Sequence, residues 1–262
     1  MSTKLVVNLD LLAEALAAGG AGPQSLLALG EAALEAGADG VALDPKGEGP
    51  DWRAGDAASL AAIAHAAPGR LLVLTGAPDD AFLEAVHAVR PDAALFMPAP
   101  EAGRLAAAAE AGFNFFDEAE KTRLALAIGR AKDCGARVGL FADPEFELMR
   151  PAKDLGADFV LMNADAFSAA AGTPLEDVIL GSLFEAGSAA KAAELGLAVG
   201  RGLALSRLGA FMAKMSAVED GLDAVALGAE LVQEGGAEGW RRALERAAAF
   251  IKRGAAGEGA AC

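Results

Sequence analysis

Eight short runs of apolar residues recur along the chain, and longer stretches with helical spacing separate them. Each run is almost continuously apolar rather than alternating, which is typical of parallel strands covered on both faces. The stretches between them place apolar residues three and four positions apart and end in common helix stops. The runs are residues 4–10, 40–45, 70–76, 93–98, 137–143, 159–165, 197–203 and 224–230.

This alternation predicts a single-domain α/β fold, the (β/α)₈ TIM barrel. Eight strands, seven intervening helices and a final helix (EGWRRALERAAAFIKRG) fit its count, and 262 residues suit its usual size of about 250. The phrases AGAD, LGAD and DGLDA repeat before strands 2, 6 and 8. We expect the barrel to occupy residues 1–252 and the tail 253–262 to be disordered. A doubly wound open sheet is the alternative, but no GxGxxG follows the first strand.

Composition narrows the function classes. The chain carries 37 acidic and 22 basic residues, a net charge of −15, so a nucleic-acid backbone would be repelled. No charge-free apolar run of membrane length occurs, and the N-terminus does not resemble a signal peptide. The two cysteines, Cys134 and Cys262, have no metal-ligand spacing. These features predict a reduced cytoplasmic protein without nucleic-acid or membrane partners. We also expect no metal and no cofactor.

Polar residues stand where most of the predicted strands end. Active sites of (β/α)₈ barrels lie at the carboxyl ends of the strands, so these residues are the site candidates. We assign catalytic roles to Asp10, Asp44, Lys46 and Thr75, and a substrate-binding role to Asn8. Asp44 would serve as a base if it were buried. His65 and His87 lie inside helical patterns and are expected to be surface or packing residues.

The phrase GRG at the end of the seventh run indicates an anion site. Loops after strands 7 and 8 commonly bind phosphate in this fold, and here they begin with Gly200-Arg201-Gly202 and Gly228. Glycine amides can approach phosphate oxygens, and arginine is a bidentate cationic donor. We therefore expect a small phosphorylated or carboxylated ligand. The alternative is a structural salt bridge from Arg201 to Asp165 or Asp223. The acidic segment 143–147 is interpreted as a solvated loop, with Mg²⁺ binding as its alternative.

Several phrases together resemble the pyridoxine 5′-phosphate synthase family in order and spacing. They are VNLD, AGADGVALDPK, RPDAALFMP, RVGLFADPE, LGADFVLMNADAF, LGLAVGRGL and AVALGAE, spread over residues 4–250. The resemblance implies a (β/α)₈ barrel, a homo-oligomer, and a metal-free condensation of 1-deoxyxylulose 5-phosphate with 3-amino-2-oxopropyl phosphate.

The resemblance also implies that several family residues are replaced. Asn8 and Asp10 match the family's N-x-D-H, but Leu11 replaces its histidine. The family's H-L-R phrase becomes Asp44-Pro45-Lys46, and its strand-end glutamates correspond to Thr75 and Leu161. Its G-H-G becomes Gly200-Arg201-Gly202, and its G-H becomes Gly228-Ala229.

These replacements leave three hypotheses. The first is a divergent enzyme with altered activity, a synthase, transferase or lyase acting at carbon–nitrogen or carbon–carbon bonds of phosphorylated substrates. The second is a non-catalytic pseudoenzyme that binds a ligand or serves as an assembly subunit. The third is a genuine pyridoxine 5′-phosphate synthase.

Overall fold

A computed structural model describes residues 2–22, 24–45, 54–99 and 112–254. Its centre is a closed barrel in which each strand pairs in parallel with its chain neighbours and the eighth pairs with the first. The (β/α)₈ prediction is therefore confirmed. The strands are β1 (Lys4–Asn8), β2 (Gly40–Leu43), β3 (Leu71–Gly76), β4 (Ala93–Phe96), β5 (Arg137–Ala142), β6 (Phe159–Asn163), β7 (Gly196–Gly200) and β8 (Ala224–Leu227).

Helices surround the barrel and bury apolar faces against it. They are α1 (Leu9–Ala18), α2 (Leu26–Glu35), α3 (Ala54–His65), α4 (Asp80–Val89), α5 (Glu118–Lys132), α6 (Met149–Asp154), α7 (Asp165–Ala169), α8 (Glu176–Ala192), α9 (Leu205–Met215) and α10 (Ala229–Gly254), with a 3₁₀ turn at Phe146–Leu148. α10 bends at Gly236, whose φ of 67° is not helical. It reaches Gly254, and residues 255–262 of the predicted tail lie outside the described residues.

Two details of the predicted pattern are wrong. Seven of the eight apolar runs extend beyond the carboxyl ends of their strands. In four of these runs, Leu9, Asp165 and Ala229 already begin helices, and Arg201 turns the chain out of β7 with a φ of 59°. The connection from β1 to β2 also holds two helices, α1 and α2, as does the connection from β6 to β7. Hydrophobic spacing missed these breaks because apolar residues continue from the strands into the helices or turns that follow them.

The barrel interior is filled by one side chain from each of the first seven strands. They are Val6, Ala42, Val73, Leu95, Phe141, Leu161 and Ala198, and Ala226 of β8 packs against them. Side chains two positions apart on a strand share a face. The next positions on the same face toward the carboxyl ends are Asn8, Asp44, Thr75, Met97, Asp143, Asn163, Gly200 and Gly228. Except at Met97, which packs against the interior residues, the change from apolar to polar or small residues marks the rim of the barrel.

The opposite, amino-terminal end is held by four aspartates in equivalent positions. Each precedes an even-numbered strand, and its Oδ2 accepts a hydrogen bond from a backbone N–H near the start of the preceding odd-numbered strand. The pairs are Asp39 with Leu5, Asp92 with Leu72, Asp158 with Val138 and Asp223 with Leu197, at 2.6–2.9 Å. Each aspartate also donates its own N–H to the carbonyl of the same residue. The repeated sequence phrases thus encode this structural ring, and RPDAA before β4 belongs to it.

Candidate functional site

The structure gathers most of the predicted site residues at the carboxyl ends of the strands. Asn8, Thr75 and Gly200 are the last or nearly the last residues of β1, β3 and β7. Asp44, Arg201, Gly202 and Gly228 follow β2, β7 and β8 directly, and Asp10 lies in the first turn of α1. Lys46 lies outside the described residues.

Asn8 joins β1 to α1. Its side-chain Oδ1 accepts a hydrogen bond of 3.0 Å from the backbone N–H of Leu11, so Asn8 caps the helix. This cap fixes the direction in which α1 leaves the strand. It therefore also fixes the position of Asp10 in the first turn.

Asp10 is a carboxyl group held in an apolar setting. Its Oδ2 accepts a hydrogen bond of 2.8 Å from the backbone N–H of Asp44. Its Oδ1 is buried and has no hydrogen-bond partner among the described residues. Burial raises the pKa of Asp10 from 3.8 to about 8, against the lowering effect of the Asp44 N–H, and the negative charges of Asp44 and Glu14 raise it further. A carboxyl group with this pKa can both hold and release a proton near neutral pH.

Arg201 brings a positive charge to the mouth of the barrel. Its guanidinium carbon lies 5.7 Å from the ring centroid of Phe141, an interior residue of β5 that is fully buried. The backbone of Arg201 is left-handed, with a φ of 59°.

One alternative for Arg201 is wrong. Asp223 belongs to the ring at the amino-terminal end, where its Oδ2 lies 2.7 Å from Nζ of Lys191. It therefore does not form the salt bridge with Arg201.

Glu230 is the residue that sequence reasoning missed. Its Oε1 accepts a hydrogen bond of 2.6 Å from the N–H of Gly202, and its Oε2 accepts one of 2.7 Å from the N–H of Gly228. Only 5% of Glu230 is exposed, and it is the only buried acidic or basic residue in the described part of the chain. The carboxylate thus joins the two loops that the sequence predicts to bind an anion. The only feature of the sequence that could have indicated this role is the glutamate two residues after Gly228. Such a glutamate is common in the first turn of a helix and does not attract notice.

Close packing fixes the backbone around these two amides. A Cβ at Gly202, where φ is 79°, would overlap Oδ1 of Asp165. A Cβ at Gly200 would come within 2.7 Å of Cβ of Ala226. The GRG glycines are therefore required by space as well as by conformation.

Other polar groups lie away from this end or are engaged in the fold. A cleft of about 470 Å³ lies at the amino-terminal end, beside the exposed pair of His65 and Asp92. Oδ2 of Asp143 accepts the N–H of Gly112 at 3.0 Å.

Within the described residues, no three acidic, histidine or cysteine side chains converge as metal ligands. None of the described helices has the length and apolar character that a membrane span requires.

The closed parallel barrel with polar groups at its carboxyl end defines the class of (β/α)₈ proteins. Comparison with known families then identifies the particular one. The family described as "Pyridoxal phosphate biosynthesis protein PdxJ" matches residues 5–253, and the chain belongs to this family.

Individual relatives agree with the family match. The chain is 31% identical over 240 residues to pyridoxine 5′-phosphate synthase of Xanthomonas oryzae pv. oryzae (strain PXO99A), covering 89% of this chain and 91% of that protein. It is 33% identical over 204 residues to the enzyme of the same name from Brucella suis (strain ATCC 23445 / NCTC 10510), covering 77% and 80%.

A solved structure described as "Native KDPGal structure" has the same fold. It superimposes with a TM-score of 0.55 at 13% identity and covers 95% of this chain and 96% of that one. At this identity, the likeness concerns the fold alone.

Proposed function

We propose that this protein is an enzyme that acts on a small phosphorylated or carboxylated metabolite at the carboxyl end of the barrel, with an activity altered from that of its named relatives. The observation that carries the proposal is the position of the Asp10 carboxyl group between the ends of β1 and β2, where Oδ2 accepts the Asp44 N–H and Oδ1 is buried without a partner among the described residues. A group that titrates near neutral pH suits general acid–base chemistry.

The other candidate residues have complementary roles in this proposal. Arg201 attracts the anionic group of the ligand over the barrel interior. Asp44 positions Asp10 through its backbone N–H, and Asn8 does so through the cap of α1. Thr75, which is buried at the end of β3, offers a hydroxyl to the ligand. Lys46, which lies outside the described residues, follows β2 in the sequence and keeps its proposed catalytic role.

The replacements that the family resemblance implies support an altered activity. Condensation and ring closure need several proton transfers, whereas Leu11, Leu161 and Ala229 cannot transfer protons. The 31–33% identity to named synthases over most of the chain favours the genuine synthase as the second candidate.

A turnover assay separates these functions. The wild type is incubated with 1-deoxyxylulose 5-phosphate and 3-amino-2-oxopropyl phosphate, and pyridoxine 5′-phosphate is quantified beside calorimetric binding of each compound. Saturable binding without product would exclude the genuine synthase, and a screen of other phosphate and carboxylate substrates then separates an enzyme with altered activity from a ligand-binding pseudoenzyme. Product formation would establish the second candidate instead. Absence of activity throughout that screen would favour the pseudoenzyme.

A further inference from the structure

The loops after β7 and β8 already hold an anion, and this anion belongs to the chain itself. The two amides come from separate loops: Gly202 N–H follows β7 and Gly228 N–H follows β8. Each donates to a different oxygen of the same Glu230 carboxylate, at 2.6 and 2.7 Å. Two converging backbone N–H groups on one planar oxyanion form the same arrangement that binds two oxygens of a phosphate.

The burial of Glu230 shows that its carboxylate depends on these two bonds. A buried carboxylate is costly unless it is hydrogen-bonded, and short N–H···O⁻ bonds are among the stronger ones in proteins. A phosphate could use these amides only if Glu230 left the position, because both N–H groups would otherwise be shared between two anions. The repulsion between the two negative groups would add to this cost.

We infer that Glu230 is a specificity-determining residue, whose carboxylate closes the phosphate cradle at the ends of β7 and β8. The cradle is defined here as the N–H groups of Gly202 and Gly228. In the wild type, a ligand phosphate is therefore excluded from the cradle, and the anionic group of the ligand is left to Arg201. This last step rests on the proposed function; the closure of the cradle does not.

Replacing Glu230 with alanine opens the cradle without introducing a positive charge that could attract phosphate by itself. In Glu230→Ala, both amides are free to donate to inorganic phosphate. Glu234→Ala is the matched control, because it removes a carboxylate from the same helix that is half-exposed and pairs loosely with Arg246. Both variants lose one negative charge, so a difference between them reports the cradle rather than net charge.

The probe is inorganic phosphate, titrated by calorimetry and by the amide signals of Gly202 and Gly228 in ¹H–¹⁵N spectra. We expect Glu230→Ala to bind phosphate at least about tenfold more tightly than the wild type and Glu234→Ala, with shifts of both glycine amides. Equal affinity in all three proteins, or tighter binding without those shifts, would overturn the inference.

The wild type provides a second test that does not depend on the folding of the variant. Its Gly228 amide signal should stay in place as phosphate is added, since Glu230 occupies that donor, whereas the Gly202 signal also responds to phosphate bound at the neighbouring Arg201. Movement of both signals toward saturation would show that phosphate enters the occupied cradle and would contradict the inference. Neither the calorimetric affinity for phosphate nor the response of the amide signals depends on turnover. Asp10→Asn should leave both measurements unchanged. Failure of the proposed function can therefore be distinguished from failure of this inference.

Discussion

The carboxylate of Asp10 and the backbone N–H of Asp44 form a hydrogen bond of 2.8 Å that joins the ends of β1 and β2. This bond satisfies one oxygen of Asp10 and leaves the other buried without a partner in the described part of the chain. One carboxyl group is thus both anchored and able to carry a proton. This combination makes Asp10 the first residue to test.

Asp10→Asn should abolish proton transfer while keeping the anchor. The amide oxygen of asparagine can still accept the Asp44 N–H, so the protein should fold and bind ligand. We expect kcat on a substrate identified by the screen to fall by about 10²–10⁴-fold with a smaller change in KM. The measurement is steady-state kinetics across pH. The pH–rate profile of the wild type should change slope near pH 8, and the profile of the variant should lack this change.

Glu14→Gln is the matched control for Asp10→Asn. Glu14 lies on α1, is exposed, and contributes only a charge effect to Asp10. The kcat of Glu14→Gln should remain within about twofold of the wild-type value, and the change of slope in its pH–rate profile should move slightly to lower pH. An equal loss of kcat in both variants would argue against a catalytic role for Asp10.

The raised pKa of Asp10 also makes folding stability depend on pH. The folded protein binds the proton more tightly than the unfolded chain, so between about pH 4 and pH 8 the folded state holds more protons. The contribution of Asp10 is therefore fully present below about pH 4 and is lost as pH rises through 8. Relative to Asp10→Asn, wild-type stability should fall by up to about 1.4 kcal/mol per pH unit across this range. Urea unfolding of both proteins at several pH values measures this difference, and parallel curves would contradict it.

Arg201→Gly should separate binding from folding. Glycine adopts a φ of 59° without strain, although it also increases the entropy of the unfolded chain. We therefore expect unfolding free energies within about 1 kcal/mol of the wild type. Loss of the guanidinium should weaken binding of 1-deoxyxylulose 5-phosphate at least about tenfold in calorimetry.

Arg130→Ala controls for the loss of charge in the Arg201 experiment. Arg130 forms an exposed ion pair with Asp80, on the outside of the barrel. Its binding curve should match that of the wild type. Weakened binding in this control would show that net charge, rather than the position of Arg201, governs affinity.

Asp223→Asn should destabilise the barrel without affecting ligand binding. It weakens the bond to the N–H of Leu197 and leaves Lys191, which is largely buried, without its carboxylate. We expect a loss of about 1–3 kcal/mol in unfolding free energy. Asp154→Asn, at an exposed pair with Arg150, should change it by less than about 0.5 kcal/mol. If chemical denaturation gave equal losses of unfolding free energy for Asp223→Asn and Asp154→Asn, the aspartate ring would not stabilise the barrel more than an exposed ion pair does.

Homo-oligomer formation remains a proposal, and exposed apolar side chains support it. Leu175 and Val178, at the start of α8, are each more than 60% exposed, and Phe146 is also exposed. We expect the double variant Leu175→Glu/Val178→Glu to lower the mass measured by light scattering. A wild-type monomer, or an unchanged assembly in the variant, would exclude this surface.

The sequence determined the fold well because the relevant signal is repeated. Eight apolar runs and their helices define the barrel even when individual ends are misplaced, as at Leu9 and Asp165. The rim was also predictable, since Asn8 and Gly200 end their strands and Thr75 is the last residue but one of β3.

The interactions at the rim were not predictable in the same way. The pairing of Glu230 with Gly202 joins residues 28 positions apart, and the burial of Asp10 depends on how α1 leaves β1. Both depend on three-dimensional packing, for which hydrophobic spacing carries no information.

The ring of aspartates has a consequence for how the chain could be divided. Each carboxylate connects an even-numbered strand to the odd-numbered strand just before it, so every such bond remains inside one strand pair. A break between Gly135 and Ala136 would separate the second pair from the third and cut none of these bonds. Two half-barrels made by that break should find each other again through the edges of β4 and β5 and of β8 and β1, where the carbonyls of Asp92 and Asp223 accept the N–H groups of Arg137 and Lys4.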